Sequence, residues 1–168
     1  MSAMKFDHIG LEETSSHWPS LQEEDRITQR FQGNFMIQQL DSITTCNQHD
    51  PFLTPFKYGV TASLSTINLT GRKKSSGRDP SGLGIWSCKK FRVQGNVYLR
   101  IATFYRPVPP EKRGGLGSVY SQHLTFFNQK NRRICPRQGF IHNIKEEIDK
   151  WKAVGTISFS QETSITSS

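Results

Sequence analysis

Cysteine is scarce in this chain: Cys46, Cys88 and Cys135 are the only three. Their odd number, wide separation and lack of any CxxC or Cys/His spacing exclude a disulfide framework or zinc finger. They read as buried or free thiols of a reducing compartment. Long apolar runs are missing too. Nothing approaches the roughly 18 residues that a bilayer-spanning helix needs, and the N-terminus lacks a basic region followed by an apolar one. The chain is therefore expected to be soluble and intracellular, nuclear or cytoplasmic, with no membrane partner and an unused sequon at Asn68-Leu69-Thr70. No GxSxG occurs, nor GxxxxGK followed by Ser or Thr, so serine-elbow hydrolases and P-loop NTPases lack support. His8, His17, His49, His123 and His142 form no HxxxH or HxH pair, and each is expected to be a surface or satisfied core residue.

Acidic residues are nearly absent from the middle. Residues 1–50 hold three basic and eight acidic side chains, 51–100 nine against one, and 101–150 nine against four, so the net +8 belongs to the centre. Such a field suits a phosphate backbone, with plain solubilising charge as the other reading. The apolar fraction of 34% is low, but eleven Phe among 11% aromatics exceed what a disordered polymer carries. At 168 residues a single domain with a modest core is expected.

"FDHIGL" predicts a strand ending near Glu13, and "SLQEEDRITQRFQG" a capped helix from Ser20 to Gln32 stopped by Gly33. "YGVTASLSTINL" reads as β. "IWSCKKFRV" and "NVYLRIATFYRPV" read as a hairpin turning at Gln94-Gly95-Asn96. Pro107, Pro109 and Pro110 stop the strand, and "EKRGGLG" is a flexible loop. "SVYSQHLTFFNQKN" predicts a helix with Val119, Tyr120, Leu124 and Phe127 as its apolar positions. "PRQGFIHNIKEEIDKWKA" puts Phe140, Ile141, Ile144, Ile148 and Trp151 on one stripe behind Pro136. The whole predicts an α+β layered sandwich without internal repeats.

Three places could carry chemistry. Glu13, at a strand end before Thr14, could ligate a hard cation through oxygen, or could be a solvated carboxylate beside a cap. Tyr105, in Tyr105-Arg106-Pro107, could present a phenol to a phosphate oxygen, or simply end a core strand. "SGRDPSGLG", Ser76 to Gly84, follows Arg72, Lys73 and Lys74 and could wrap a phosphate backbone, or be only flexible.

In this order, "GLEET", "YGVTASLS" and "LRIATFYRP" resemble the first part of the endonuclease/exonuclease/phosphatase family. "ETSSHWPSLQEEDR", "SGRDPSGLGIW" and "FYRPV" look like the endonuclease domain of retroelement polyproteins that also carry a reverse transcriptase. The match covers residues 5–154. The resemblance implies a partial four-layer α/β/β/α sandwich, a DNA partner, and a reverse transcriptase in the parent polyprotein. It implies Mg²⁺, or Mn²⁺, held by Glu13 of an "ET" motif, and Tyr105 of a "YxP" motif on the scissile phosphate. The strand usually read "GGxAIL" has Val60 in place of its second glycine. The family activates water with an Asp/His system and stabilises the charged transition state with metal, Asn and Tyr.

The departures are equally specific. The family's first strand with its metal-holding Asn, its "GDFN" motif and its Asp-His pair have no counterpart here. Residues 155–168 form a Ser/Thr-rich tail instead. Back-translated with TCN serine codons and read from the third base of the Gly155 codon, "GTISFSQETSI" permits "DHIILAGDFN". The tail is thus expected to be out of frame and disordered, and the chain an endonuclease fragment with little or no activity. Two alternatives stand beside it. One is a non-catalytic nucleic-acid-binding module using Arg72, Lys73, Lys74, Arg78, Arg106, Arg132 and Arg133. The other is a small-substrate phosphatase of the same family.

Overall fold

The computed structural model describes residues 6–12, 14, 22, 27–35, 40–49, 59–109, 118–130 and 133–161, with backbone alone at 34, 35 and 156–161. The protein is α+β. The elements run β1 (His8–Glu12), α1 (Ile27–Phe35), β2 (Leu40–Thr44), β3 (Thr61–Thr66), α2 (Ile67–Thr70), β4 (Lys73–Arg78) and β5 (Trp86–Gln94). There follow β6 (Val97–Phe104), α3 (Val119–Gln129), α4 (Pro136–Ala153) and β7 (Thr156–Gln161).

The first sheet has the order β1-β3-β2, with both outer strands antiparallel to β3. Every residue of the central strand, "TASLST", is buried. Its two faces differ because side chains alternate along a strand. Ala62 and Leu64 pack with Ile27 and Phe31 of α1 and with Ile9, Leu11 and Leu40. Thr61, Ser63 and Ser65 face the second sheet.

That sheet has the order β4-β5-β6-β7, antiparallel except for β7, which runs parallel to β6. The β5–β6 hairpin closes by pairing Gln94 with Val97, so Gly95 and Asn96 alone make the turn. On its outer face Trp86, Cys88, Ala102 and Phe104 meet Phe126 and Phe127 of α3 and Phe140 and Trp151 of α4. Trp86 and Trp151 lie edge to face with centroids 5.5 Å apart, worth about 1 kcal/mol beyond the area they bury.

The space between the sheets is polar. Thr45 Oγ1 and Thr61 Oγ1 are 3.0 Å apart, and Thr61 Oγ1 donates to Ser87 Oγ at 3.2 Å. Ser63 Oγ lies 3.0 Å from both Ser87 Oγ and Thr103 Oγ1. The hydroxyls thereby satisfy one another, and small side chains let the sheets approach closely. Gly10 belongs to this seam, because a Cβ there would overlap the Thr103 hydroxyl. Further along, Lys89, with its side chain wholly buried, donates to Ser65 Oγ at 2.9 Å and to the Asp41 carbonyl at 2.5 Å. Its ammonium lies 2.7 Å from Asp41 Oδ2.

Several sequence expectations change. The first helix continues through Gly33 to Phe35, and Ser20 lies outside the described residues. β2 carried no recognised signal. "INL" begins α2 rather than ending a strand. On α4, Phe140 and Trp151 are buried and Ile144 and Ile148 pack against them, while Ile141, one residue or about 100° round the helix, is 59% exposed. On α3, Leu124 is exposed, and Gln122, His123 and Phe126 join Val119 and Phe127 inside. Residues 156–161, expected to be disordered tail, form β7 on the free edge of β6. Thr, Ile and Phe give that segment strand propensity, and β6 offers it an unpaired edge.

Candidate functional site

The ends of β1, β2 and β6 and the start of β3 converge at one end of the facing sheets. Glu12 pairs with Thr61, and the Thr14 amide donates to the Val60 carbonyl at 3.4 Å. Tyr105 leaves β6 with its amide donating to the Ile85 carbonyl at 2.8 Å, and the residue is 8% exposed. Its ring lies beside Gly59: a Cβ on Gly59 would stand 3.3 Å from Tyr105 Cε1 and 3.1 Å from Val119 Cγ1. The sequence-predicted tyrosine and both neighbours of Glu13 thus sit around the same stretch, Gly59 to Thr61. Glu13 itself lies outside the described residues. The strand register puts Glu12 on the face of β1 shared with His8 and Gly10, which is the face toward the second sheet.

Around this end lies a polar group that the sequence reading missed. The Asn47 side-chain amide donates to Gln122 Oε1, and its oxygen accepts from the His49 amide at 3.0 Å. His49 Nε2 is 2.9 Å from the Ser81 carbonyl oxygen. His123 is 1% exposed with no hydrogen-bond partner on either ring nitrogen. Burial, with a smaller contribution from His49, lowers its pKa from 6.5 to about 4. His8, near the other end of the seam, also lacks partners, and burial followed by the Lys89 charge lowers it to about 4. Both were expected to be surface or satisfied core residues; His123 is buried and His8 half-buried, and neither ring has a hydrogen-bond partner among the described residues. Single isolated histidines carry no spacing signal, so only burial could have distinguished them.

The segment "SGRDPSGLG" is built rather than loose. Ser76, Gly77 and Arg78 belong to β4. Asp79 is buried and accepts from the Ser81 amide at 2.8 Å, the Ser81 hydroxyl at 2.7 Å and the Ile85 amide at 3.1 Å. Gly84 has φ 77°, and a Cβ there would stand 2.9 Å from the Gly59 oxygen. Glycine is required on both counts. The segment therefore locks β2, β3 and β5 together at the site end.

The basic residues do not form one surface. Lys73, half-exposed, lies 2.5 Å from Asp41 Oδ1 and shares that carboxylate with Lys89. Arg72, Lys74 and Arg78 are exposed on edge strand β4 or beside it, and Arg78 lies roughly 17 Å along the strand from Lys73. Arg106 is half-buried next to Tyr105, Arg133 is exposed before α4, and Arg132 lies outside the described residues.

Among the described residues no three His, Cys, Asp or Glu side chains are grouped to hold a metal ion. Asp79 is consumed by its loop, Asp41 is held by two lysines at the far end of the seam, and Glu12 stands on β1 opposite Thr61. These donors alone do not fit Mg²⁺ or Mn²⁺, which call for six or more oxygens with one or two carboxylates among them. No helix among the described residues is long and apolar enough to cross a membrane. No family model, curated protein or solved structure matches the chain.

Proposed function

We propose that this chain carries the framework of a retroelement-type, divalent-metal-dependent DNA endonuclease, and that these 168 residues bind nucleic acid without cutting it. The observation that carries the reading is the convergence of Thr14, Gly59–Thr61 and Tyr105 at one end of two facing sheets. In the resembling family, the metal-binding Glu and the phosphate-binding Tyr meet at one edge of such sheets. The packing order supports it as well: α1, first sheet, second sheet, then α3 and α4 is the layer order of the four-layer sandwich.

Tyr105 would donate its phenol to a phosphate oxygen, held in place by the Ile85 carbonyl and the flank of Gly59. Mg²⁺, when bound, would supply charge stabilisation at the phosphate. The described residues offer no carboxylate set to hold it, and cooperating catalytic groups fail together when members are missing. Binding would survive that loss, because it draws on the exposed arginines and lysines. The parent protein would couple this module to a reverse transcriptase.

The test pairs a supercoiled-plasmid nicking assay in Mg²⁺ or Mn²⁺ with duplex-DNA binding across a salt series. Nicking is expected to stay at the buffer level while binding falls steeply with salt. Robust metal-dependent nicking that disappears in Glu13→Ala would overturn the inactive reading. Hydrolysis of inositol phosphates with no DNA affinity would replace it with the phosphatase.

A further inference from the structure

From the β5–β6 hairpin, we infer that the far end of the second sheet carries a separate binding surface for single-stranded nucleic acid, formed by Lys90, Arg92 and Tyr98 with Arg72 beside them. Along β5 the outward residues are Trp86, Cys88, Lys90 and Arg92; the first two lie under α3 and α4, Lys90 is half-exposed and Arg92 is exposed. Opposite them on β6, Arg100 pairs with Lys90 and Tyr98 with Arg92. The Lys90 ammonium sits 4.2 Å from the centre of the Tyr98 ring, and the Arg100 guanidinium 4.5 Å from that of Trp151. The Arg92 amide donates to the Arg72 carbonyl at 2.8 Å, bringing an exposed arginine alongside.

Placing Lys90 directly across from Arg100 is unfavourable for a sheet, since like charges in a cross-strand pair repel. No acidic residue in β4, β5 or β6 neutralises the pair, and Asp79, just after β4, is buried at the other end; the two cations rest on the Tyr98 and Trp151 rings instead. Glu147 of α4 is held by Lys150 at 2.6 Å. A concentration of cations with no acidic residue on their own strands, set around a half-exposed aromatic ring, is the composition of a surface that tracks a phosphate backbone and stacks an unpaired base. A duplex hides its bases, so Tyr98 favours the single strand. The surface lies roughly 23 Å along β6 from Tyr105, and it stands whether or not the site end cuts.

The experiment measures fluorescence anisotropy of labelled oligo(dT) and of a duplex of equal length, at several salt concentrations, with the full chain. Lys90→Gln/Arg92→Gln should weaken oligo(dT) binding about ten-fold or more at low salt. The slope of log affinity against log salt should become shallower by about 0.7 for each phosphate no longer neutralised. Tyr98→Ala should weaken binding about five-fold or more, with Tyr98→Phe retaining affinity. Lys145→Gln, which removes a comparable exposed charge on α4, should change little. Unchanged oligo(dT) affinity in the Lys90/Arg92 variant overturns the inference, as does an equal weakening in Lys145→Gln. So does selective loss of binding to phosphatidylserine vesicles or polyglutamate with oligo(dT) binding intact. If Tyr98→Ala unfolds, the Lys90/Arg92 variant and the Tyr98→Phe control still decide.

Discussion

Asp41→Asn should destabilise the protein far more than removing the buried lysine that Asp41 neutralises. Lys89 has 0% side-chain exposure and meets Asp41 Oδ2 at 2.7 Å, while Lys73 holds Oδ1 at 2.5 Å. Burial lowers the Lys89 pKa despite Asp41. In Asp41 burial acts upward, but the two ammonium groups outweigh it and hold the carboxyl below its ordinary value. At an effective dielectric of about 20 the attraction over this distance is on the order of 6 kcal/mol, largely offset by desolvation. Asp41→Asn leaves the lysine charge buried with neutral acceptors alone: the backbone carbonyl of residue 41, the Ser65 hydroxyl, and one side-chain amide oxygen for which Lys73 competes. The expected cost is about 3 kcal/mol, or roughly 6–12 °C in Tm for a chain of this size. Lys89→Met removes the charge itself, while Asp41 keeps Lys73, and should cost no more than about 1 kcal/mol. The double variant should resemble Lys89→Met. Urea unfolding followed by circular dichroism, with calorimetry for Tm, reads all three. An Asp41→Asn cost below about 1 kcal/mol, or a Lys89→Met cost as large as that of Asp41→Asn, would refute the reasoning.

Stability should also fall in mild acid, because His123 has its folded pKa depressed from 6.5 to about 4. The unfolded chain takes up the proton first, so the contribution is fully present above pH 6.5 and is lost as pH drops toward 4, by about 3 kcal/mol in all. His123→Gln should take that share out of the slope in urea titrations from pH 7 to 4, leaving the share of His8, whose pKa is lowered likewise, and an unchanged slope would remove His123 as a cause. Ser63→Ala takes one partner each from Ser87 and Thr103 in the seam and should cost about 1–3 kcal/mol, whereas the same change at exposed Ser76 should be near neutral. Equal effects at the two positions would mean that the seam hydroxyls contribute nothing specific.

Part of this architecture was legible in advance. The β5–β6 hairpin followed from two β-rich runs around a Gly-containing turn, and α4 from its apolar spacing behind Pro136. Both are local signals, settled within a few residues. Tyr105 was singled out because Pro107 ends the strand after it, and it does stand at the sheet end. The ion pair of Lys73 was not legible: in a basic run it looks like its neighbours, and only Asp41, 32 residues earlier, distinguishes it. β2 was missed because "LDSIT" alternates weakly and becomes a strand through pairing with β3. β7 shows the same effect, with the edge of β6 ordering a segment whose composition alone read as tail.

The sequence by itself determined where charge and aromatic residues concentrate, that the three thiols form no framework, and which local runs turn, coil or extend. Tertiary structure alone decided that serines and threonines from three strands would form the interior between two sheets, that a lysine would be buried there, and that Tyr105 would come beside Gly59 and Val60. Periodicity and turn chemistry act over a few residues, whereas burial and hydrogen-bond satisfaction depend on partners brought together from distant parts of the chain.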